Sequence, residues 1–304
     1  GPLSTLYTKC AIKRSVAKSG TTRLTFSSTA KTSRCCSGKY VGDSSAMSDD
    51  FSGKVALVTG GAMGLGKAIT DRLLQQGCRV AFIDLNERVG LGTERTFKET
   101  YGEDRVIFMK CDVTNDEDFE DCFVRVKKKF GRLDIMVNNA GYAGEERWRR
   151  IFEINTMAVY FGTLLALKYM GKDRGGEGGY VINVASIAGL IVCPPIPAYN
   201  ASKYGVIGLT RAFGTDLYYS RTGVKVSCLC PEPMETDLWR GITTFCQEIA
   251  LNTPYITENY SSGVQRPEKV AEGVIKLIQD GFNGAALLSL HDEGLVYHEF
   301  ASVR

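Results

Sequence analysis

The amino-acid sequence predicts an α/β protein whose parallel sheet is covered by helices on both faces. From Phe51 onward, short apolar runs rich in β-branched residues recur along the chain. The stretches between them carry apolar residues at helical spacing, as in Leu65, Ile69 and Leu73. Strands that alternate with helices in this way are typical of a parallel sheet buried on both faces. Because no linker interrupts the pattern, we expect a single domain.

The predicted strands number about seven and are spaced along the whole domain. In order they are Val55–Thr59, Val80–Ile83, Val106–Met109, Ile135–Val137, Tyr180–Val184, Val224–Leu229 and Ala285–Leu288. The longest break in the alternation is the segment 232–265, which is rich in aromatic residues and threonine. Long irregular segments in compact domains are commonly functional, so we interpret this one as a lid or binding loop for the substrate.

Residues 1–46 differ in composition from the rest of the chain. The first four look like a cloning remnant, and the following stretch is rich in Ser and Thr, with eight Lys or Arg against the single acid Asp43. Two interpretations stay open: a transit peptide, and a disordered leader that has no targeting function. Under either, the folded domain spans 47–304. We expect a cytoplasmic protein, or a mitochondrial one if the leader is a transit peptide.

Composition excludes several classes of function. The net charge is only +3, and most of the excess lies in the leader, so the domain has no basic surface for a nucleic acid. Ten cysteines occur without a C-x-x-C pair, which favours a reducing compartment over a disulfide scaffold. With His291 and His298 as the only histidines, we expect no metal site. No apolar run approaches the roughly 20 residues that a membrane span needs.

A glycine-rich turn follows the first predicted strand. Gly60 allows a tight turn, Gly64 lets the backbone approach a pyrophosphate, and Gly66 lets the next helix pack on the sheet. The next strand ends at Asp84, where a carboxylate can bind the ribose hydroxyls of an adenosine. This combination predicts a Rossmann-type, doubly wound sheet that binds a dinucleotide.

The same strand end predicts which dinucleotide is bound. The 2′-phosphate of NADP would meet the like charge of Asp84 and would need a nearby cation. The neighbouring positions Met63 and Leu85 are apolar. We therefore predict NAD as the cofactor.

Three further motifs follow the glycine turn in order. They are Asn138-Asn139-Ala140-Gly141, then Ser186, then Tyr199-Asn200-Ala201-Ser202-Lys203. Together with the glycine turn, they resemble the short-chain dehydrogenase/reductase family over essentially all of 51–304. The resemblance implies an oxidoreductase that moves a hydride between a nicotinamide cofactor and a hydroxyl or carbonyl group.

The chemistry of the last motif can be stated from the residues. Tyr199 and Lys203 share one face of a helix, and a nearby ammonium favours the phenolate over the phenol, whose ordinary pKa is about 10. Tyr199 would then serve as general base for the substrate hydroxyl. Ser186 would orient the reacting oxygen. By resemblance, Asn155 completes the catalytic set and holds a water next to the lysine.

The resemblance also assigns further cofactor contacts. These are Leu65 in the glycine turn, Asp112 and Val113 near the adenine, Asn139 near the ribose, and Met234 and Thr236 near the nicotinamide, together with Tyr199 and Lys203. One position departs from the family pattern, because Glu232 stands where glycine is usual. Family members commonly form dimers or tetramers, so we expect a homodimer or homotetramer built on the helices that contain Met157–Lys168 and Tyr199.

Three further stretches, Gly175–Gly179, Ala188–Leu190 and Phe130–Ile135, resemble within this family the group of 15-hydroxyprostaglandin dehydrogenases. Ile196 replaces the glutamine that this group carries three residues before the tyrosine. We expect Ser186, Ile196, Tyr199 and Trp239 to contact the substrate, with an apolar lining of Tyr142, Trp148, Val192, Ile196, Met234, Trp239 and Phe245. Such a pocket suits a lipophilic secondary or allylic alcohol of the oxylipin, terpenoid or steroid type. Two alternatives are an NADP-linked carbonyl reductase and a catalytically silent binding or scaffold protein.

Overall fold

The computed structural model describes residues 15–16, 22–23, 51–248 and 263–301, and the chain divides into the units 1–39 and 40–304. In the first unit, Ser15–Val16 pairs antiparallel with Thr22–Arg23. Apart from these four residues, the predicted leader lies outside the described residues, as does the part of the predicted lid at 249–262.

The second unit is built on one sheet that has eight strands within the described residues. They are β1 Val55–Thr59, β2 Arg79–Asp84, β3 Val106–Lys110, β4 Ile135–Asn138, β5 Gly179–Val184, β6 Val224–Pro231, β7 Ala286–Leu290 and β8 Gly294–Tyr297. Their spatial order is β3-β2-β1-β4-β5-β6-β7-β8. Strands β1 to β7 are parallel, and β8 pairs antiparallel with β7. The seven predicted strands are confirmed, and β8 is an edge strand that sequence analysis missed.

Helices cover both faces of this sheet. They are α1 Gly64–Gln75, α2 Glu87–Tyr101, α3 Asp116–Phe130, α4 Trp148–Phe152, α5 Ala158–Met170, α6 Pro197–Phe213, α7 Asp216–Thr222, α8 Asp237–Glu248 and α9 Pro267–Asp280. A π-helical turn, Glu153–Met157, joins α4 to α5. One core cluster contains Ile69 of α1 and Val274 of α9, and another contains Phe119 of α3 and Leu165 of α5. This division confirms the doubly wound α/β fold.

Helix α3 illustrates how local sequence sets the helix bounds. The side chain of Asn115 caps its first turn by accepting hydrogen bonds from the amides of Glu117 and Asp118, at 3.1 and 3.3 Å. Its first turn is acidic and its last turn is basic, which matches the helix dipole. The helix ends at Gly131, which adopts a left-handed conformation (φ +82°).

One helical stretch of the described chain is long and apolar enough, by composition, to cross a membrane. It runs over Glu145–Met170, and half of its most apolar window is buried inside the protein. Its second part, α5, packs against β4 and β5. It is therefore a core helix of the domain.

The order of the strands determines where a ligand can bind. The chain turns from β1 to β2 and β3 on one side and to β4 on the other, so the loops after β1 and β4 diverge. In doubly wound sheets, ligands bind in the crevice beyond the carboxyl ends of the strands at this point.

Candidate active site

A cavity of about 1000 Å³ opens at the carboxyl ends of the parallel strands. It brings together all of the predicted cofactor and substrate contacts. These are Gly60, Met63, Gly64, Leu65, Gly66, Asp84, Leu85, Asp112, Val113, Asn139, Ser186, Ile196, Tyr199, Lys203, Met234, Thr236 and Trp239. Among the remaining predicted apolar residues, Tyr142 and Phe245 also line it. Trp148 and Val192 do not, because both side chains are exposed outside the cavity, and their assignment to the lining was wrong.

The glycine turn forms a wall of bare backbone at one end of the cavity. Gly60 and Gly64 have φ of +62° and +54°, a region that other residues rarely adopt. A Cβ on Gly66 would lie 2.0 Å from the carbonyl oxygen of Gly60, so no side chain fits there. The start of α1 directly follows, with no side-chain cap on its first amides. These features fit the pyrophosphate of a dinucleotide.

Asp84 lies at the end of β2, on the same cavity wall. Its Oδ2 accepts a hydrogen bond from the amide of Ala62 at 3.1 Å, and its Oδ1 accepts one from the amide of Asn86 at 3.0 Å. Both bonds fix the orientation of the carboxylate. The side chains of Met63 and Leu85, which also line the cavity, are exposed and apolar. The site thus presents a carboxylate with apolar neighbours, which favours ribose hydroxyls over a 2′-phosphate.

Asp112 is paired with an arginine that sequence analysis missed. Arg150 of α4 lines the cavity, and its guanidinium donates to Asp112 Oδ2 at 2.7 Å and to Thr114 Oγ1 at 2.7 Å. Burial raises the pKa of Asp112, but hydrogen bonds from Thr114 and Arg150 outweigh it and hold the pKa below its ordinary value. The carboxylate is therefore ionised and oriented before any ligand binds.

Asn139 ties the glycine turn to the end of β4. Its side-chain amide donates to the carbonyl oxygens of Thr59 and Gly60, at 2.9 and 3.2 Å. The hydroxyl of Thr59 accepts from the backbone amides of Asn139 and Ala140, both at 2.9 Å. Besides lining the cavity, Asn139 thus holds the two diverging loops together.

Tyr199, Lys203 and Ser186 meet on the floor of the cavity. Tyr199 and Lys203 lie one turn apart on α6, and the Lys203 amine lies 5.6 Å from the centre of the Tyr199 ring. The amine donates to the carbonyl oxygen of Val184 at 2.9 Å. Ser186 follows β5, and its side chain lines the cavity close enough to Tyr199 to lower the pKa of the phenol. The fold therefore assembles the three side chains that the sequence motif predicts.

The pKa values of this pair depart from the sequence-based expectation. Burial raises the pKa of Tyr199 to about 12, with an opposing hydrogen bond from Ser186 and an added contribution from the Cys193 thiol. Burial also lowers the pKa of Lys203 to about 8. The expected lowering of the phenol pKa by the ammonium is absent from the protein alone, because desolvation penalises the charged form of both groups.

Asn155 lies behind the cavity wall, in the π-helical turn. It is fully buried, and its amide exchanges two hydrogen bonds with the backbone of Tyr142, both at 2.8 Å. It also donates to the Ser202 hydroxyl at 3.1 Å, which in turn donates to the carbonyl oxygen of Tyr199 at 2.7 Å. In this arrangement the Asn155 side chain joins the loop after β4 to α6, the helix that carries Tyr199 and Lys203.

One set of contacts holds the two ends of the predicted lid together. Met234 pairs with Gln265 in an isolated parallel bridge, and the amide of Glu235 donates to the carbonyl oxygen of Gln265 at 2.9 Å. The Gln265 side chain is buried, and it exchanges hydrogen bonds of 2.8 and 2.9 Å with Ser289 of β7. We call Met234, Glu235, Gln265 and Ser289 the lid clamp. Gln265 was missed because its partners are far apart in the sequence.

Glu232 and Thr236 lie beside this clamp. The carboxylate of Glu232 accepts from the amide of His291 at 2.7 Å, so the side chain that replaces the usual glycine anchors the segment to the end of β7. Thr236 precedes α8, and its hydroxyl accepts from the amide of Trp239 at 3.3 Å. A Cβ on Gly64 would lie 3.4 Å from the methyl group of Thr236, so the start of the lid lies next to the glycine turn.

Comparison with known proteins agrees with this geometry. Residues 54–247 match the short chain dehydrogenase family. The chain is 38% identical to the 15-hydroxyprostaglandin dehydrogenase [NAD(+)] of Rattus norvegicus, over 82% of this chain and 95% of the relative. It is 36% identical to the human protein of that name, over the same shares. It is 34% identical to 3beta-hydroxysteroid dehydrogenase 2 of Eggerthella lenta, over 78% of this chain and 93% of the relative.

Solved structures show the same fold. A short chain dehydrogenase/reductase from Burkholderia phymatum, solved in complex with NAD, superposes with a TM-score of 0.67 at 24% identity, over 79% of this chain and 89% of that one. Levodione reductase superposes with a TM-score of 0.68 at 25% identity, over 78% and 96%.

Proposed function

The chain belongs to the short chain dehydrogenase family, and from that premise we propose that it oxidises a lipophilic secondary or allylic alcohol to the carbonyl compound, with Tyr199 as general base. It is an NAD-dependent dehydrogenase that acts on hydroxyl groups, as its relatives are named. The substrate class and the role of the tyrosine are the proposed part. Oxylipins, terpenoids and steroids are the alcohols that we expect it to accept.

One observation carries the proposal. The Tyr199 phenol and the Ser186 hydroxyl line the same cavity, and they lie close enough that Ser186 lowers the pKa of the phenol. The wall beyond them is apolar and comes from Ile196, Ile242 and Phe245. A hydroxyl group of the substrate can hydrogen-bond to the side chains of both Ser186 and Tyr199, while its apolar body lies against that wall.

The residues of this chain then have separate tasks. When bound, NAD would supply a hydride acceptor and the positive charge of its oxidised ring. Ser186 holds the substrate oxygen by a hydrogen bond, and Tyr199 takes the hydroxyl proton. Because burial raises the pKa of Tyr199 to about 12, the residue is a phenol in the protein alone. A positive charge close to it is what makes it a usable base.

The two alternatives that the sequence left open have less support. An NADP-linked reductase would place a 2′-phosphate against the Asp84 carboxylate, with Met63 and Leu85 as neighbours. A silent scaffold protein would have no need for Ser186, Tyr199 and Lys203 to line one cavity together.

The test is to measure NADH formation with a panel of alcohols, from steroids, terpenoids and hydroxy fatty acids to small polar alcohols. We expect Tyr199→Phe to bind NAD as the parent does and to lose at least a hundredfold in kcat, since general bases contribute about 10²–10⁴-fold. Tyr204→Phe removes a hydroxyl from the exposed side of the same helix and should leave kcat unchanged. Activity of Tyr199→Phe within tenfold of the parent would overturn the general base. A preference for the small polar alcohols would overturn the substrate class.

We also propose that the protein is a homo-oligomer that pairs through α5. Met157 is 63% exposed at the start of this helix, and Tyr160 and Leu164 are exposed on the same side. Leu165, which we expected at the contact, is only 3% exposed and packs in the core of its own chain. Light scattering tests the proposal, and Met157→Glu should lower the measured mass toward that of one chain. A parent of monomer mass at micromolar concentration would contradict it.

A further inference from the structure

The helix that carries the tyrosine begins without a cap from its own sequence. Ile196 is the capping residue of α6 and has no side-chain oxygen, and Pro197 follows at the first helical position. The amides of the next two residues, Ala198 and Tyr199, therefore need acceptors from elsewhere in the protein. The catalytic tyrosine is one of these two residues.

Glu145 supplies both acceptors from a distant part of the chain. It begins the single 3₁₀ turn that precedes α4, in the loop after β4. Its Oε1 accepts from the amide of Tyr199 at 2.8 Å, and its Oε2 accepts from the amide of Ala198 at 3.1 Å. A negative charge at this end of a helix is also favoured by the helix dipole. Sequence reasoning missed this cap, because donors and acceptors are 53 and 54 residues apart.

The two bonds control position as well as stability. A carboxylate whose two oxygens bind consecutive amides fixes both the place and the rotation of the first helical turn. The next support on α6 is Asn200, which accepts from the amide of Cys193 at 3.1 Å and donates to the carbonyl oxygen of Ile191 at 2.8 Å. Asn200 thus holds the incoming segment, while Glu145 holds the turn from which the phenol projects.

Glu145 also faces the lid. Burial raises the pKa of the Cys246 thiol on α8, and the negative charge of Glu145 raises it further. Cys246 is buried in one apolar cluster with Tyr199 and Ile196. The carboxylate therefore lies where the catalytic helix, the loop after β4 and the lid helix meet.

We propose that Glu145 is a positioning residue for the reaction. By binding the amides of Ala198 and Tyr199, it sets where the phenolic oxygen lies relative to the Ser186 hydroxyl. The inference rests on the proposed role of Tyr199 as general base. Since misplacing a reacting group by about 1 Å can cost about a hundredfold, loss of the cap should lower kcat by about tenfold or more. NAD binding should be unaffected, because Glu145 is not among the residues that line the cavity.

The experiment compares Glu145→Ala and Glu145→Gln with Asn115→Ala. Asn115 caps two amides of α3 and is not itself among the residues that line the cavity, so its loss removes a cap of the same kind without touching the tyrosine helix. We expect Asn115→Ala to lower the melting temperature and keep kcat within twofold. Glu145→Ala should keep the Kd for NAD within twofold while kcat falls about tenfold or more. Glu145→Gln keeps one acceptor and should lie in between, and it carries the test if the alanine variant does not fold.

Two results would overturn the proposal. One is a folded Glu145→Ala or Glu145→Gln protein with the kcat of the parent. The other is an equal loss of kcat in Asn115→Ala. The variant Tyr199→Phe separates this failure from that of the proposed function. If Tyr199→Phe stays active, the general base is wrong. If Tyr199→Phe is inactive while the Glu145 variants have normal activity, only the positioning role is wrong. If the general-base role and the positioning role are both correct, adding Glu145→Ala to Tyr199→Phe should cause no further loss of activity.

Discussion

Replacing Lys203 by methionine should remove a defined part of the pH dependence of stability in the protein without cofactor. Lys203 is 3% exposed, and burial lowers its pKa from 10.5 to about 8. In the unfolded chain the amine keeps its ordinary pKa, so between pH 8 and 10.5 the unfolded state binds more protons than the folded one. The free energy of unfolding therefore rises with pH through this window. The difference between the two pKa values corresponds to roughly 3 kcal/mol, which is the cost of the buried charge at neutral pH.

Methionine has no ionisable group, so its variant lacks this rise. Losing the hydrogen bond to Val184 also changes stability, but by an amount that does not depend on pH. The ionisation of Tyr199 lowers the free energy of unfolding only at higher pH, because burial raises the pKa of the phenol from 10.0 to about 12. Between pH 7 and 10, the parent should gain roughly 2–3 kcal/mol relative to Lys203→Met.

The assay is urea unfolding followed by circular dichroism at pH 7, 8, 9 and 10, without NAD. The control is Lys128→Met on α3, whose exposed side chain stays in solvent in both states and which should follow the parent at every pH. Profiles of the parent and Lys203→Met that stay parallel from pH 7 to 10 would refute the reasoning. They would mean that the Lys203 amine is hydrated in the folded protein.

Three further predictions concern the cavity walls. The double change Asp84→Ser and Leu85→Arg should weaken NAD and strengthen NADP in binding titrations, because a repulsive carboxylate is replaced and a phosphate partner is added. A parent that already prefers NADP would contradict this. Gly66→Ala should weaken NAD binding at least tenfold, since its Cβ would lie 2.0 Å from a carbonyl oxygen of the glycine turn. Gly92→Ala, whose Cβ meets nothing within 4 Å, is the matched control and should bind NAD as the parent does. Ile196→Gln should raise kcat/KM about tenfold for alcohols with a polar group beside the reacting carbon, such as prostaglandins, because isoleucine offers such a group no partner. If the parent already oxidises prostaglandins best and Ile196→Gln does not raise kcat/KM, the lid rather than Ile196 determines the choice of substrate.

The seven parallel strands could be predicted from the sequence because each lies inside the sheet as a short apolar run. Strand β1 was predicted with the bounds that it has, and all five of its residues are buried. Strand β8 was missed, because its apolar run, Leu295–Tyr297, is only three residues long and none of its four residues is fully buried. The π-helical turn at Glu153–Met157 was also missed, since one wider turn leaves the helical spacing of the apolar residues almost unchanged.

The candidate site also contains residues that the sequence could predict and residues that it could not. Ser186, Tyr199 and Lys203 could be predicted because the motif that contains them is local. The direction of the Tyr199 pKa could not, since it depends on burial by residues from several elements. Arg150 and Glu145 were missed for a related reason. Their partners are acceptors or amides that lie 36 to 54 residues away, and only the folded chain brings them together.

The lid clamp fixes the two ends of the predicted lid independently of the length of the chain between them. Because Met234 and Gln265 are joined to each other and to β7, the ends of the segment between them are held at the edge of the domain by contacts that this segment does not make itself. The entropy of closing a loop whose ends are already fixed grows slowly, by about 0.6 kcal/mol for each doubling of its length. Changes in the length of the chain between Glu248 and Gly263 should therefore cost little stability, whereas α8 packs in one apolar cluster with Tyr199 and Ile196. A change of substrate can thus arise through insertions or deletions after α8, while β7 and the two anchored ends stay the same.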